Sequence, residues 1–450
     1  MTTVGSPSWE ALLRDVPRGP FIPDTIWVDD DNGHGFVALS KHADPDGWQA
    51  AVSVNAPIIT QVNLGEVQPD QKGRFPSSSC SQPSIVAEML DALDVRSGQS
   101  VLEIGTGTGW NAALLAHRVG VHGRVVTVEV DPQLAEHARR ALSSVGYPPL
   151  VVTADGLAGY PAGALYDRVI CTASIREVVP RAWLDQLRSG GRLVTPWGTD
   201  WSNGVMLTLH LGENGVATGR FSGDLAFMRI RSQRRALYGW EPEDSDIERA
   251  QISTTDCRGN DLDRMLNPDK GTFAIGARLS SCHMVIEWNK HGTLHHNLEL
   301  DHAATRSWAQ LDANLNDPAP FTVRQLGPRK LWDEAVAAYD WWHDQGEPGL
   351  DRFGFDIRDG RQWVWLGDPD NVVRILSRHT ATPDENVHRP PTRRLPGDRG
   401  WPPRTLSDHR AHVVTCARWP CPVRGRAFRP PGTSGAAVGY GPEAGRLPKS

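Results

Sequence analysis

Three glycines at alternate positions follow a short apolar stretch. Val101–Ile104 is rich in β-branched and aliphatic residues, which is typical of a buried strand, and a helix is predicted at about residues 111–118. Glycine permits positive φ and lets a ligand approach the backbone closely, and a helix start offers free N–H groups. The motif therefore predicts a nucleotide-type pocket whose turn contains Gly105, Gly107 and Gly109.

The spacing of these glycines narrows the choice of ligand. A dinucleotide fingerprint needs its third glycine where Trp110 lies, and a phosphate-binding P-loop needs a Gly-Lys-Ser/Thr sequence that the motif lacks. Glu103 lies within reach of the turn, and Glu129 ends the next predicted strand, where a carboxylate meets ribose hydroxyls. A ligand with a ribose but no pyrophosphate fits best. S-adenosylmethionine is such a ligand, with its ammonium facing Glu103 and its ribose facing Glu129.

A third predicted strand, at residues 150–154, ends in an aspartate that can accept a hydrogen bond from an adenine amine. Since three elements in order end in suitable groups, a glycine turn in an unrelated α/β protein is the weaker interpretation. The predicted cofactor-binding residues are Glu103, Gly105, Thr106, Gly107, Gly109, Glu129, Val130, Asp155 and Gly156.

The elements that would position these residues alternate between strand and helix from residue 100 to about 195. A helix that begins near Pro83 precedes them, and residues 205–211 and 216–221 predict a terminal β-hairpin. The predicted fold class is α/β: a doubly wound, Rossmann-like sheet with an antiparallel edge hairpin, plus a smaller C-terminal accessory domain.

Composition divides the chain into four predicted parts. They are an N-terminal substrate-side segment (1–78), the sheet domain (79–235), a Trp-rich accessory domain (236–370) and a Pro/Arg/Gly-rich tail (371–450). The first part is irregular in pattern, apart from a short helix predicted near residues 8–15. The accessory domain is expected to have an aromatic core, with a peptide-binding surface as the alternative.

Charge is distributed unevenly along the chain. Residues 371–450 contain 14 Lys and Arg, 5 Asp and Glu and 12 prolines, which predicts disorder, with an arm for an anionic partner as the alternative. The rest of the chain is acidic, which argues against a nucleic-acid substrate. Because no apolar run reaches membrane-spanning length and the first residues lack signal-peptide character, we expect a cytoplasmic protein without a membrane partner. The six cysteines form no C-x-x-C pair, so neither a metal site nor a disulfide framework is predicted.

A serine-containing segment before the predicted helix carries the most specific resemblance. Ser79-Cys80-Ser81-Gln82-Pro83, followed by Val86-Ala87-Glu88-Met89, resembles the T-I-S-Q-P…V-A-x-M signature of protein-L-isoaspartate O-methyltransferases. Upstream, Val16-Pro17-Arg18…Phe21-Ile22-Pro23 resembles that family's V-P-R-x-x-F-V-P. Downstream, the segments that match in order are Val101–Gly109, Asp155-Gly156 and residues 185–198. The resemblance covers roughly residues 8–235.

The resemblance implies an S-adenosylmethionine-dependent methyltransferase that esterifies an Asp or isoAsp carboxylate in a protein or peptide. It gives Ser81 the active-site role and matches Ser79 to a neighbouring threonine, so that the hydroxyl is kept. Gln82 and Pro83 are further predicted substrate-binding residues, and Arg176 is a candidate to balance the charge of the substrate carboxylate. Ser81 has an alternative role as a helix N-cap, and Arg176 has one as a plain surface residue.

Three departures from the family pattern surround the expected substrate cleft. Cys80 replaces an isoleucine, residues 172–180 are longer than the family's Ala/Pro-rich turn, and residues 24–76 form a longer approach to the serine motif. With the Trp-rich region, the pattern resembles a subgroup that accompanies ribosomally made peptides, so a precursor peptide is a second candidate partner. A methyltransferase of small molecules and a cofactor-binding module that recognises a leader peptide remain alternatives.

Overall fold

The structure is a computed structural model. It describes residues 8–30, 35–143, 148–234, 242–257, 259–267, 271–288, 295–314, 320–378 and 413–415. All of these residues belong to the first of two units, residues 1–417, and the second unit, residues 418–450, lies outside the described part. Most of the predicted tail therefore lies outside the described residues.

A small antiparallel sheet with strand order β2-β1-β3-β4 occupies the N-terminal part. Its strands are β1 (Thr25–Asp29), β2 (Phe36–Ser40), β3 (Ile58–Val62) and β4 (Pro76–Cys80). Helices α1 (Trp9–Asp15) and α2 (Pro45–Ser53) accompany it. Helix α1 confirms the prediction near residues 8–15, and the Ser8 hydroxyl caps it. The prediction that the rest of residues 1–78 is irregular was wrong, since this part forms the small sheet. Its strands are only five residues long and lie between prolines, glycines and aspartates, so the sequence has little hydrophobic periodicity there.

The central sheet follows in the order β7-β6-β5-β8-β10-β11-β12, and β9 pairs with the end of β10. Its strands are β5 (Ser100–Ile104), β6 (Arg124–Glu129), β7 (Leu150–Thr153), β8 (Tyr166–Cys171), β9 (Ile175–Arg176), β10 (Leu187–Gly198), β11 (Asn203–Leu211) and β12 (Ala217–Asp224). The helices between them are α3 (Pro83–Leu93), α4 (Trp110–Val119), α5 (Pro132–Leu142) and α6 (Arg181–Asp185). Strands β5 to β8 and β10 pair in parallel, whereas β11 and β12 are antiparallel. The predicted α/β sheet and its antiparallel hairpin, β11 and β12, are confirmed.

The strand order places the candidate site. The chain passes from β5 outward to β6 and β7 and then returns to β8 on the other side of β5, so the connections diverge between β5 and β8. In open parallel sheets, ligands bind in the crevice at the carboxyl ends of the strands at such a point. The glycine motif directly follows β5 and therefore lies in this crevice.

The C-terminal part has a sheet of its own, with strand order β13-β17-β16-β15-β14-β21. Its strands are β13 (Gln251–Thr255), β14 (His283–Trp288), β15 (His295–His302), β16 (Ser307–Asn314), β17 (Phe321–Leu326) and β21 (Val413–Thr415). Three other strands come between β17 and β21 in the sequence and do not belong to this sheet: β18 (Phe353–Arg358), β19 (Arg361–Leu366) and β20 (Asp368–Arg378). Its helices are α7 (Asp244–Ile247), α8 (Gly259–Leu266), α9 (Thr272–Arg278) and α10 (Leu331–Asp344). Phe353, Phe273 and Phe355 pack with Trp197 and Phe221 in an aromatic core.

Strands β18 to β20 correct the predicted domain layout. Strand β18 pairs with β12, so these three strands prolong the central sheet instead of belonging to a separate domain. The boundary expected at residue 370 lies inside β20. Strand β20 is a mostly exposed edge strand that begins with Asp368, Pro369 and Asp370, and its composition therefore resembles that of a linker. None of the helices in the described part has the length and apolar character needed to cross a bilayer.

Candidate cofactor and substrate site

The glycine motif forms a turn that side chains would obstruct. Gly105, Gly107 and Gly109 have φ of +94°, +53° and +88°, a region that residues with a Cβ rarely adopt. A Cβ on Gly105 would lie 2.7 Å from the Thr172 hydroxyl oxygen. Helix α4 begins at Trp110, directly after the turn, so its free N–H groups face the crevice. The turn predicted from spacing is therefore present, and it is packed from the β8 side.

Glu103 is fully buried beneath this turn. Its carboxylate accepts hydrogen bonds from the Asn111 amide at 2.6 Å and the Thr127 hydroxyl at 2.5 Å, and Thr127 is bonded in turn to Thr106 at 2.6 Å. Burial raises the pKa of Glu103 to about 7, although both hydrogen bonds oppose the rise. The expectation that Glu103 faces the ligand's ammonium is thus not met. Its carboxylate instead ties β5, β6 and α4 together beneath the turn.

Glu129 occupies the position at the end of β6 where a ribose is expected. One carboxylate oxygen accepts the Gly107 N–H at 2.9 Å, and the other accepts the Asp131 N–H at 3.0 Å. Burial raises the pKa of Glu129. Each oxygen keeps a further lone pair, so this carboxylate can accept the two hydroxyls of a ribose at the rim of the turn. The next residue, Val130, is partly exposed beside it.

Asp155 and Gly156 lie at the end of β7. The Asp155 side chain is exposed and accepts the Leu157 N–H at 3.0 Å, so it caps the short 3-10 helix Gly156–Ala158. A Cβ on Gly156 would lie 2.5 Å from the Ile104 side chain, which explains why glycine is needed there. The turn, Glu129 and Asp155 thus lie at the ends of three adjacent parallel strands, and this donor and acceptor set fits S-adenosylmethionine.

Strand β4 carries the serine segment across the glycine turn. A Cβ on Gly107 would lie 3.7 Å from the Ser79 carbonyl oxygen and 3.8 Å from the Ser78 hydroxyl. Cys80 is buried, and burial raises the pKa of its thiol to about 11 despite a hydrogen bond with Thr108 of the turn. The segment that resembles the family's substrate motif therefore contacts the candidate cofactor loop directly.

Ser81 follows β4 and lies outside the next helix. Helix α3 begins at Pro83 with Gln82 as its N-cap residue, and the Gln82 amide donates to the Ser84 hydroxyl at 2.8 Å. The alternative in which Ser81 caps this helix is therefore wrong. The Arg18 guanidinium donates to the Ala56 carbonyl at 2.8 Å and to the Ser81 carbonyl at 3.5 Å, which fixes the backbone on which the Ser81 hydroxyl is carried.

Residues 172–180, which we name the cleft loop, begin at the glycine turn. The Thr172 hydroxyl donates to the Ile104 carbonyl at 3.2 Å, and the Ser174 N–H donates to the Met228 carbonyl at 2.8 Å. Arg176 lies in β9, and its guanidinium is 3.5 Å from the Asp200 carboxylate. The Arg176 side chain is 38% exposed and that of Asp200 only 6%, so part of the guanidinium remains accessible to a substrate.

A further group of residues was not predicted from the sequence. Residues 225–234, which we name the strap, follow β12 and contact the cleft loop through Met228, Arg229 and Ile230. Arg231 of the strap lies 2.7 Å from the Asp131 carboxylate, which also accepts the Gln61 amide at 3.0 Å. Burial acts to raise the pKa of Asp131, but the hydrogen bonds from Arg231 and Gln61 hold it below its usual value. The only sequence signal was the three arginines spaced through residues 229–234.

Comparisons with known proteins identify the family to which the chain is similar. The family model described as Protein-L-isoaspartate(D-aspartate) O-methyltransferase (PCMT) matches residues 68–233. The protein-L-isoaspartate O-methyltransferase of Methanocella arvoryzae is 41% identical over 155 residues, which are 34% of this chain and 80% of the relative. That of Ignicoccus hospitalis is 47% identical over 117 residues, which are 26% of this chain and 55% of the relative. The chain thus spans about half the length of some of the relatives that it matches.

A solved structure of a protein-L-isoaspartate O-methyltransferase aligns with 80% of this chain and 95% of its own. The identity is 17% and the TM-score is 0.45.

Proposed function

Because the chain belongs to the protein-L-isoaspartate O-methyltransferase family, we propose that it is an S-adenosylmethionine-dependent carboxyl O-methyltransferase. Its proposed substrate is an Asp or isoAsp carboxylate in a protein or peptide. The observation that carries the proposal is the approach of Ser79 on β4 to Gly107 of the glycine turn, with 3.7 Å between the Ser79 carbonyl oxygen and a Cβ placed on that glycine. A substrate held by the serine segment would therefore lie next to the cofactor.

The chemistry requires positioning more than proton transfer. When bound, S-adenosylmethionine supplies an electrophilic methyl group on a sulfonium. A carboxylate of ordinary pKa is ionised at neutral pH, so the protein needs no general base. Glu129 would hold the ribose and Asp155 the adenine, while the Ser79 and Ser81 hydroxyls would orient the substrate carboxylate. Arg176 would supply a countercharge, and the surrounding walls would exclude water.

The cytoplasm is the proposed location. Cys80, Cys171 and Cys257 are free thiols in the part of the chain that the structure describes, which suits a reducing compartment.

A ribosomally made precursor peptide is the second candidate substrate. It is supported by the departures of this chain from its family around the cleft, namely Cys80, the cleft loop and the longer approach at residues 24–76. The reaction would be the same esterification of an aspartyl side chain. A precursor-peptide gene beside this one would favour this substrate over damaged proteins.

The test is methyl transfer from labelled S-adenosylmethionine to an isoAsp peptide and to its Asp counterpart, with the full chain. The expected product is a base-labile methyl ester on the isoAsp peptide. A base-stable product would instead assign a different class of methyltransferase. Binding of S-adenosylhomocysteine without any transfer, to these peptides or to a precursor peptide, would point to a recognition module.

Ser81 offers a sharper test of the substrate side. Because Ser81→Ala removes a hydrogen bond to a charged carboxylate, we expect methyl transfer to slow by about tenfold or more. Calorimetric affinity for S-adenosylhomocysteine should stay unchanged, since the cofactor contacts lie elsewhere. Ser53→Ala is the control, because Ser53 is exposed at the end of α2 and bonds only within that helix in the described contacts. An equal loss of cofactor affinity would remove Ser81 from the substrate site.

A further inference from the structure

The cleft loop connects the glycine turn with the strands that the C-terminal part adds to the central sheet. Besides its contact with Ile104, the hydroxyl of the first residue, Thr172, donates to the Gly105 carbonyl of the glycine turn at 2.5 Å. Its later residues, Glu177 and Val179, bond to side chains of β19 and β20. The cleft loop, one of the three departures from the family pattern, is therefore held at one end by the candidate cofactor site and at the other by the accessory strands.

Gln362 of β19 holds the loop by a reciprocal pair of hydrogen bonds. The Val179 N–H donates to the Gln362 side-chain carbonyl at 2.8 Å, and the Gln362 amide donates to the Val179 carbonyl at 2.8 Å. Both residues are buried. A buried backbone group without a partner is costly, so these two bonds fix the loop at this point.

Arg374 of β20 holds the loop by charge. Its guanidinium lies 2.6 Å from the Glu177 carboxylate, and the two side chains are only 13% and 14% exposed. Glu177 has φ of +62°, and its carbonyl accepts the Trp197 indole N–H at 2.7 Å. Its second carboxylate oxygen, Oε1, is buried without a hydrogen-bond partner among the described residues. Glu177 therefore depends on Arg374, because a buried carboxylate that loses its cation is strongly unfavourable.

We propose that β19 and β20 form a clamp that fixes the cleft loop in the shape that binds the substrate. Gln362 and Arg374 are its positioning residues, and they act on the substrate through the loop that presents Arg176. The C-terminal strands thus determine how tightly the enzyme binds a peptide carboxylate, and not how it binds the cofactor. This inference rests on the proposed function for its kinetic test.

The clamp predicts a selective kinetic defect. Gln362→Ala leaves two buried backbone groups of Val179 unpaired, and Arg374→Gln leaves the Glu177 charge without its cation. Each change should raise KM for the isoAsp peptide about tenfold, the effect of roughly one strong hydrogen bond. The affinity for S-adenosylhomocysteine should change by less than about twofold, because Glu129 and Asp155 lie on other strands.

A second variant separates the clamp from general destabilisation. Adding Glu177→Gln to Arg374→Gln replaces the orphaned charge with a neutral amide pair, so KM for the peptide should recover toward the wild-type value. Arg361→Gln is the matched control, because Arg361 lies on β19 next to Gln362 but its side chain is exposed. We expect this control to leave KM unchanged.

Hydrogen exchange provides a readout that does not depend on activity. The amides of residues 174–179 should exchange faster in Gln362→Ala than in the wild type, while those of β5 and β6 should not. Unchanged exchange in this loop, or a rise in KM no larger than that of Arg361→Gln, would overturn the clamp. A wild-type protein that methylates no peptide would refute the proposed function, and the exchange result would still decide whether the clamp exists.

Discussion

Glu103 is the penultimate residue of β5 and Glu129 the last residue of the neighbouring parallel strand β6, and their carboxylates have different partners. Glu103 is bonded to Asn111 and Thr127 below the turn, whereas Glu129 lies at its rim and accepts backbone N–H groups. Burial raises the pKa of both. Because Glu103 has no exposed surface whereas Glu129 keeps 6% of its own, we propose that Glu129 binds the cofactor and that Glu103 supports the turn.

The buried state of Glu103 predicts a pH-dependent stability. Its pKa rises from 4.5 to about 7 on folding, so the unfolded chain loses this proton first as pH increases. The contribution of Glu103 to stability is thus fully present below pH 4.5 and is lost as pH rises through about 7. Glu103→Gln has no such titration, and Asn111 can reverse its amide to pair with it.

We therefore expect the free energy of unfolding of Glu103→Gln, relative to wild type, to increase by on the order of 3 kcal/mol between acidic and mildly alkaline pH. Denaturant unfolding at several pH values measures this difference. Glu136→Gln, on the exposed face of α5, is the surface control. A difference that does not vary with pH would mean that Glu103 has the same pKa in the folded and the unfolded chain.

Replacement of Glu129 should weaken cofactor binding. Glu129→Ala removes the acceptors proposed for two ribose hydroxyls, so affinity for S-adenosylhomocysteine should fall by about tenfold or more. Titration calorimetry measures the change, and Glu136→Ala serves as the control because its side chain is exposed. An unchanged Kd would show that the ribose binds elsewhere.

At the scale of elements, the sequence predicted the parts in which local pattern and tertiary role agree. The helix predicted to begin near Pro83 is α3, which starts at that residue in the structure. The N-terminal sheet and the strap could not be predicted, because their contacts join distant residues. The Arg231–Asp131 contact spans 100 residues, and nothing near either residue indicates its partner. The turn and Glu129 were predictable because parallel strands end at one edge.

The strap predicts a link between a surface arginine and cofactor binding. Arg231 holds the carboxylate of Asp131, and the Asp131 N–H holds Glu129 at 3.0 Å. Arg231→Gln should therefore lower affinity for S-adenosylhomocysteine by about fivefold, since a partly exposed ion pair is worth roughly 1 kcal/mol. Calorimetry would measure it against Arg140→Gln, whose side chain is exposed on α5. Equal affinities for these two variants would limit the strap to a structural role.

At the scale of the whole molecule, composition and architecture disagree about where the folded part ends. Composition places a tail from residue 371 onward, because Gly, Pro and charged residues dominate there. The structure instead continues the central sheet through β20 to Arg378 and joins Arg374 to the cleft loop. An edge strand has one partner and one exposed side, so its sequence needs less apolar character than a central strand. Composition alone therefore could not show this boundary.

Two truncations test where the folded part ends. One chain ends after Arg378 and keeps β20 whole, and the other ends after Asp370; both lack β21. The shorter chain also lacks Arg374, so Glu177 loses its cation. We expect the shorter chain to melt roughly 5 °C or more below the longer one, because a buried carboxylate loses its partner. Its KM for the peptide should also rise. Equal melting temperatures would show that β20 adds nothing to the fold, and the accessory strands would then end with β19.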